Sequence, residues 1–234
     1  MSTTALIGLL AETSIHAGAG QSGGVIDLPI QREAHTAWPV IYGSAVKGAL
    51  RALAEERQAP WLKVVFGPET TNASDHAGAL LVGDARLLLL PVRSLTGHFK
   101  WVTCPALLQR FTADAARLGL DGLDSATIPK VPNHQTVLLP EPTGDALYLE
   151  EFRLRTQPAD FTAIIPVLAR LMGRPDAETA LRKQLAWSTT TASTIWPSSP
   201  HRSMRISAST TAPRRSNPER SGMKKACRPT RCSM

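Results

Sequence analysis

The chain has 234 residues and 43% hydrophobic composition, enough to bury one core. Its formal net charge is +7, but residues 1–186 are nearly neutral, and residues 187–234 hold nine Lys and Arg against one acidic residue. The overall basicity is therefore no argument for nucleic-acid binding by the main body. No apolar run approaches a membrane span, the first residues lack a secretory signal, and three cysteines make no disulfide framework, so we expect a cytoplasmic protein without a membrane partner.

Three elements are predicted in the first part of the chain. Residues 5–18 have the apolar character of a buried strand that runs into glycine. Residues 17–39 are rich in glycine and polar side chains, which predicts a long loop, and such loops are often functional. Residues 43–57 have helical periodicity. Three apolar residues spaced at i, i+4 and i+7 would form the buried stripe of this helix: Val46, Leu50 and Leu53.

The middle of the chain predicts further strands and helices. Residues 78–92 indicate a central strand, residues 94–104 its partner, and residues 105–119 a second helix. Residues 135–156 indicate two strands around a turn, and residues 160–173 a helix that ends at its glycine. This order favours an α+β fold of the ferredoxin-like (RRM-like) kind with an added hairpin, whose last strand would follow residue 186.

The last 48 residues differ in composition and divide the chain into a domain, 1–186, and a tail, 187–234. The tail has no Leu, Val, Phe or Asp, and 17 of its residues are Ser or Thr, which predicts a disordered basic segment. A frameshift is the alternative. When the tail is read from the third base of each codon, permissible codon choices give a string with hydrophobic alternation and turns. Resequencing the gene across codons 182–187 tests this hypothesis.

The stretch "GSAVKGALR" could bind an anion at the start of a helix. Ser44 can cap the helix, and Lys47 and Arg51 are four residues apart and share one face. Free backbone amides, a hydroxyl and two cations together suit phosphate, and Gly48 would allow a strand of nucleic acid to approach closely. The alternative is an ordinary solvated helix with two surface cations.

Two residues of the preceding segment could carry chemistry. Asp27 is an acid between apolar neighbours on the predicted loop, where it could bind a divalent cation or accept a proton from a ribose hydroxyl. His16, at the end of the predicted first strand, could act as an acid or base near neutral pH. The alternatives are that Asp27 only forms a turn and that His16 has a structural role. The histidines match no zinc motif.

Two long blocks of this sequence resemble a known family. "IHAGAGQSGGVIDLPIQREAHTAWPVIYGSAVKGALR" and "LLVGDARLLLLPVRSLTGHFKWVTCPALLQRF" resemble, in the same order, the repeated backbone subunit of the type III-B CRISPR effector, the Cmr complex. That subunit is a RAMP-superfamily protein. The resemblance extends from about Ala5 to about Leu185. The string from the shifted frame also resembles the family, which favours a frameshifted and truncated carboxyl-terminal part.

The resemblance implies an RRM-like palm with a β-hairpin thumb, placed loosely in residues 136–152. It implies copies stacked on a CRISPR guide RNA beside other Cmr subunits, each cleaving the paired target RNA. By position, Ser44, Lys47, Gly48 and Arg51 match the guide-binding helix. Asp27 matches the cleavage aspartate and His16 a nearby histidine. A divalent metal ion, expected to be Mg²⁺, would bind at the cleavage site with RNA.

Three alternatives remain open from the sequence. The chain could be an RNA-binding structural subunit without catalysis, or a defective frameshifted product. It could also be a metal-dependent hydrolase that uses His16, Asp27 and His35, which predicts metal binding by the lone chain and activity without guide RNA. Relatives in the family continue past the end of this chain with a further strand and a Gly-rich segment, so assembly of this polypeptide is a separate question.

Overall fold

The computed structural model describes residues 4–20, 28–69, 76–119 and 128–189. Within these ranges no helix is long and apolar enough to cross a membrane. The same ranges contain these elements: β1 (Val40–Ile41), α1 (Gly43–Glu56), α2 (Leu62–Phe66), β2 (Ala85–Arg86), β3 (Leu90–Arg93), β4 (Phe99–Thr103), α3 (Pro105–Arg117), β5 (Thr136–Leu139), β6 (Ala146–Leu149), β7 (Phe152–Pro158), α4 (Ile164–Met172), α5 (Ala177–Gln184) and β8 (Leu185–Ser188).

Six strands form one mixed sheet in the order β3-β4-β8-β5-β7-β6. The pairs β4–β8 and β5–β7 are parallel, and the other neighbours are antiparallel. β8 joins two parts of the sheet, because Leu185 lies opposite Trp101 of β4 and Trp187 lies opposite Leu138 of β5. The predicted α+β class is confirmed, and β3 and β4 are the antiparallel partners that the sequence predicted.

Both faces of this sheet are covered by apolar clusters. Successive strand residues point to opposite faces, so neighbouring residues of one strand belong to different clusters. Val137 and Leu139 belong to one apolar cluster, which also contains Trp38 and Leu107. Leu138 belongs to a second cluster on the other face, with residues of β8 and of the helices α4 and α5. These residues of the second cluster are Ile164, Ile165, Leu168, Leu181, Leu185 and Trp187.

The first predicted strand is absent from the structure. Residues 4–11 form no ladder, and Ile7 and Leu9 are 72% and 62% exposed. The interior positions of the sheet are filled by β4, β8, β5 and β7, which leaves no central place for this segment. It passes the end of α4 instead, where a Cβ on Gly8 would lie 2.1 Å from the carbonyl oxygen of Leu171.

Two further segments differ from their predictions. Residues 78–92 contain β2 and β3, and β3 is an edge strand of the six-stranded sheet rather than a central one. The segment expected to form a thumb, 136–152, lies within the sheet: β5 pairs with β7 and β8, and β6 forms a hairpin with β7. All four residues of β5 are buried, and a projecting hairpin would expose them to water.

Helix α1 forms where predicted, but its apolar stripe is not buried. Leu50 and Leu53 are 39% and 43% exposed. They line an open groove of about 270 Å³ together with Trp61, Phe66 and Leu80. The prediction of a core-facing stripe was wrong because α1 packs beside α2, away from the two clusters that cover the sheet.

The boundary between the body and the tail falls inside β8. Trp187 and Ser188 are fully buried strand residues, and the indole Nε1 of Trp187 donates a hydrogen bond to the carbonyl oxygen of Pro129 at 3.1 Å. Ordered packing thus continues two residues beyond position 186. The remainder of the tail from residue 190 lies outside the described residues, and its predicted disorder stays a prediction.

An ion pair fastens the segment before α1 to helix α3. Arg110 donates to both carboxylate oxygens of Glu33 at 2.8 and 2.9 Å, and its guanidinium lies 4.8 Å from the ring centre of Trp38. The Thr36 hydroxyl also donates to Glu33, whose side chain is only 8% exposed. The pair fixes residues 33–38 against the body of the protein.

The environment of Glu33 combines opposing effects on its pKa. Burial alone would raise the pKa of Glu33, but the hydrogen bonds from Arg110 and Thr36 and the positive charges of Arg110 and His35 hold it below its ordinary value of 4.5. A carboxylate with a lowered pKa stabilises the fold above its unfolded pKa. This contribution is lost as the pH falls through the lower folded value.

We expect Arg110→Met to lower the free energy of unfolding at pH 7 by roughly 3 kcal/mol, because it leaves the Glu33 carboxylate buried without its main partner. The difference from wild type should narrow as the pH falls from about 4.5 towards the lower folded pKa of Glu33, because the stabilisation by the ionised carboxylate is lost over this range. Urea denaturation at pH 7 and pH 4 measures both. Arg117→Met, which removes a surface ion pair from the same helix, is the control and should change little. A pH-independent difference would contradict this account.

Candidate nucleic-acid interface

The start of helix α1 is capped differently from the prediction. The helix begins at Gly43, with Tyr42 as its N-cap residue and no side-chain cap from Ser44. The Gly43 amide donates to Asp84 Oδ1 at 2.7 Å. A Cβ on Gly43 would lie 2.3 Å from the carbonyl oxygen of Val82, so only glycine fits where these segments meet.

The first turn therefore offers fewer backbone donors than the sequence predicted. The amides of Ala45 and Val46 both donate to the carbonyl oxygen of Tyr42, at 2.9 and 3.1 Å, and Asp84 already occupies the Gly43 amide. The Asp84 carboxylate also offsets part of the positive end of the helix dipole. Anion binding here would depend on the exposed Ser44 and on the cations of the next turns.

Lys47 and Arg51 lie on one face of α1, as predicted, and both are partly buried. Lys47 Nζ donates to the carbonyl oxygen of Leu80 at 2.8 Å. Arg51 Nη1 donates to the carbonyl oxygen of Pro68 at 3.0 Å, and its Nε donates to Glu55 Oε1 at 2.8 Å. These bonds hold the two cations in fixed positions, which lowers the entropy lost if they bind a phosphate.

Gly48 lies between these cations in the sequence and is exposed. A Cβ built at Gly48 would meet no protein atom within 4 Å. Nothing within the described protein therefore requires glycine at this position, and glycine in a helix interior is destabilising by roughly 0.5–1 kcal/mol relative to alanine. Close approach of a ligand to the helix would explain why a destabilising glycine is present at position 48.

The predicted loop after His16 is closed by a short antiparallel arrangement, here called the loop base, residues 17–19 and 29–31. Gly18 and Ile30 form an isolated bridge. The Ala19 amide donates to the carbonyl oxygen of Pro29 at 2.8 Å, and the Gln31 amide donates to that of Ala17 at 2.7 Å. The ends of the loop are therefore held together although the loop itself is long.

His16 lies at this closure. Its Nε2 is 2.8 Å from the carbonyl oxygen of Leu28, and because a carbonyl oxygen only accepts, Nε2 carries the proton in this contact. The Nδ1 atom is then the acceptor in the neutral ring. Asp27 precedes Leu28 in the chain but lies outside the described residues, so the predicted role of its carboxylate stays a prediction.

Gln31 connects the loop base to helix α1. Its Nε2 donates to the carbonyl oxygen of Gly18 at 2.9 Å, and its Oε1 accepts from the amide of Tyr42 at 2.9 Å. No role was predicted for Gln31, Asp84 or Arg110. These contacts span 11 to 77 residues in sequence and leave no periodic signal that could have identified them.

The described residues provide no metal centre. Among them, no three His, Cys, Asp or Glu side chains come together in a group that could hold a metal ion. His35, assigned to the alternative hydrolase, is 80% exposed and lies 4.0 Å from Glu33, which is already bound to Arg110. The described part thus gives no support to a His16–Asp27–His35 ligand set, and the expected Mg²⁺ has no preformed set of ligands there.

Comparison with known proteins identifies a relative and similar structures. The "CRISPR system Cmr endoribonuclease Cmr4" of Pyrococcus furiosus is 36% identical over 179 residues, which cover 74% of this chain and 60% of the relative. A crystal structure of Cmr4 matches with 31% identity and a TM-score of 0.61, covering 76% of this chain and 66% of the other. A crystal structure of oligomeric Cmr4 from Pyrococcus furiosus matches with 29% identity and a TM-score of 0.57, covering 75% and 65%.

The chain spans 60% of the length of the curated relative. The similarity includes the loop base, α1 and the sheet up to β8, because residues 9–187 match the RAMP superfamily. This match covers most of the chain and agrees with the resemblance of the two sequence blocks to a RAMP-superfamily protein. The chain belongs to the RAMP superfamily.

Proposed function

We propose that this chain is a backbone subunit of a type III-B CRISPR effector, which binds guide RNA along α1 and cleaves target RNA at the loop containing Asp27. The observation that carries the proposal is the Gln31 side chain, which joins the base of this loop to the N-cap residue of α1. The relative named as a Cmr endoribonuclease supports the same class of activity.

Guide binding would use Ser44, Lys47, Gly48 and Arg51. The two cations would contact successive phosphates, and Gly48 would leave room for the backbone to pass. Contacts to phosphates carry no sequence information, which suits a subunit that must accept any guide. The choice of target would be left to base pairing between guide and target, as in other guided effectors.

Cleavage would proceed by attack of a ribose 2′-hydroxyl on the adjacent phosphorus. Asp27 accepts the hydroxyl proton as the new oxygen–phosphorus bond forms and the bond to the 5′-oxygen breaks. The leaving 5′-oxygen takes a proton from water, which leaves a cyclic phosphate and a 5′-hydroxyl. A kink in the guide–target duplex would align the attacking and leaving oxygens. His16, through its Nε2–H bond to the carbonyl oxygen of Leu28, would position the residue that follows Asp27.

The cofactor and partners are part of the proposal. A divalent ion, Mg²⁺ by preference, would bind with RNA oxygens and Asp27 among its ligands and would stabilise negative charge at the phosphate. Guide RNA, target RNA, further copies of the chain and other Cmr subunits are the expected partners, in the cytoplasm. The oligomeric state named for one similar structure supports self-association.

A non-catalytic RNA-binding subunit is the second candidate. It is favoured by the partial burial of Lys47 and Arg51, whose bonds to the protein are independent of any cleavage chemistry. Both candidates predict guide binding, and they differ only in the consequence of changing Asp27.

Asp27→Ala in the assembled complex should lower the rate of target RNA cleavage about 100-fold or more, because it removes the proton acceptor. Guide affinity should stay within threefold of wild type. Single-turnover cleavage of a labelled target measures the rate, and Asp145→Ala, in the exposed connection before β6, is the matched control. Cleavage at the wild-type rate would favour the non-catalytic subunit.

Lys47→Ala and Arg51→Ala should each weaken guide binding for all guide sequences alike. The slope of log affinity against log salt concentration should fall by about 0.7 for each single-strand phosphate contact removed. Filter binding across a salt series measures it. Lys63→Ala, an exposed lysine on α2, should leave the slope unchanged. An unaltered slope for both test variants would exclude phosphate contact by this face.

Gly48→Ala separates protein stability from RNA binding. The added methyl group meets no protein atom, so the free energy of unfolding should rise by about 0.5–1 kcal/mol. Guide affinity should nevertheless fall severalfold, because the methyl group occupies the path of the RNA backbone. Thermal melting and filter binding test the pair of effects. Higher stability with unchanged affinity would place the guide elsewhere on the protein.

A further inference from the structure

Through its side chain, Gln31 bonds both to Gly18 of the loop base and to Tyr42, the N-cap residue of α1. Its main chain is engaged as well: its amide donates to the carbonyl oxygen of Ala17 at 2.7 Å, and its carbonyl oxygen accepts from the amide of Val40 at 3.1 Å. Four hydrogen bonds therefore run from this residue to four different partners.

The chemistry of these contacts selects an amide. The Gly18 carbonyl requires a donor, and the Tyr42 amide requires an acceptor. The side chain of glutamine supplies both from one planar group of the right length. Glutamate could serve only Tyr42, because a carboxylate has no proton to donate to Gly18, and methionine could serve neither.

The two side-chain bonds of Gln31 link the first turn of α1 to the loop base. Tyr42 is the N-cap residue of α1, so its amide moves with the first turn of the helix. Gly18 pairs with Ile30 at the closure of the loop that contains Asp27. A shift of the first turn relative to the loop base must stretch or break one of the two side-chain bonds of Gln31.

We propose that Gln31 is a positioning residue that couples occupancy of α1 by guide RNA to the pairing of the loop base, a role that rests on the proposed function. Guide RNA fixes the first turn of α1, Gln31 passes this constraint to Gly18, and Gly18 stays paired with Ile30 when target RNA binds. Gln31 touches no reacting atom in this scheme.

The first test measures residue-resolved amide hydrogen exchange in the full chain without RNA. Gln31→Met should speed exchange at both Ala19 and Tyr42 at least fivefold. Gln31→Glu should speed exchange at Ala19 but keep Tyr42 protected, because the carboxylate still accepts from the Tyr42 amide. Gln109→Met, at an exposed position of α3, is the control and should change neither amide. Wild-type exchange at Ala19 in Gln31→Met would overturn the proposal.

The second test adds guide RNA and then target RNA to the assembled complex. In wild type, guide RNA should slow exchange at Ala19 at least threefold, and in Gln31→Glu this slowing should disappear while guide affinity stays within threefold. The kcat for target cleavage should fall tenfold or more with an unchanged KM for target. Parallel loss of guide affinity and cleavage, or retained slowing at Ala19, would overturn the coupling.

The two tests distinguish failure of the coupling from failure of the proposed function. If wild type binds no guide RNA, the proposed function fails and the coupling with it, whatever the exchange data without RNA show. If wild type binds guide RNA and Asp27→Ala abolishes cleavage, but Gln31→Glu behaves as wild type, only the coupling is wrong.

Discussion

Two backbone groups from different parts of the chain, the carbonyl of Gly18 and the amide of Tyr42, are both satisfied by the amide of Gln31. The Gly18 carbonyl requires a donor and the Tyr42 amide requires an acceptor, and one glutamine side chain supplies both. This requirement fixes the position of the loop base relative to helix α1. The geometry of the candidate interface depends on it, because the cations are on the helix and the aspartate is on the loop.

The start of α1 is a less open anion site than its sequence suggests. Asp84 and the carbonyl of Tyr42 already take three amides of the first turn, so phosphate would be bound mainly by side chains. Lys47 and Arg51 are in turn held by carbonyl oxygens of neighbouring segments. Such fixed cations suit a repeated ribose-phosphate spacing better than freely moving surface lysines would.

Local patterns predicted local structure well. Periodicity identified α1 and α3, and α4 ends at Gly173 as predicted, where the backbone has a left-handed φ of 64°. Periodicity failed where burial depends on distant partners, since the stripe of α1 faces a groove and residues 4–11 form no strand. Helix α5 and the contact between Glu33 and Arg110 across 77 positions were not predicted. Such contacts depend on the fold rather than on spacing.

The position of β8 has a consequence for synthesis of the protein. β4 and β5 are not neighbours, and within the described residues the two parts of the sheet, β3–β4 and β5–β7–β6, are joined by ladders through β8 and by a single bridge between Ser94 and Leu149. During translation, β4 and β5 cannot form their ladders with β8 until Ser188 has emerged from the ribosome. An altered reading frame near this point would thus change the strand that unites the sheet, and a nascent chain stalled just before it would expose two unprotected strand edges to chaperones and proteases.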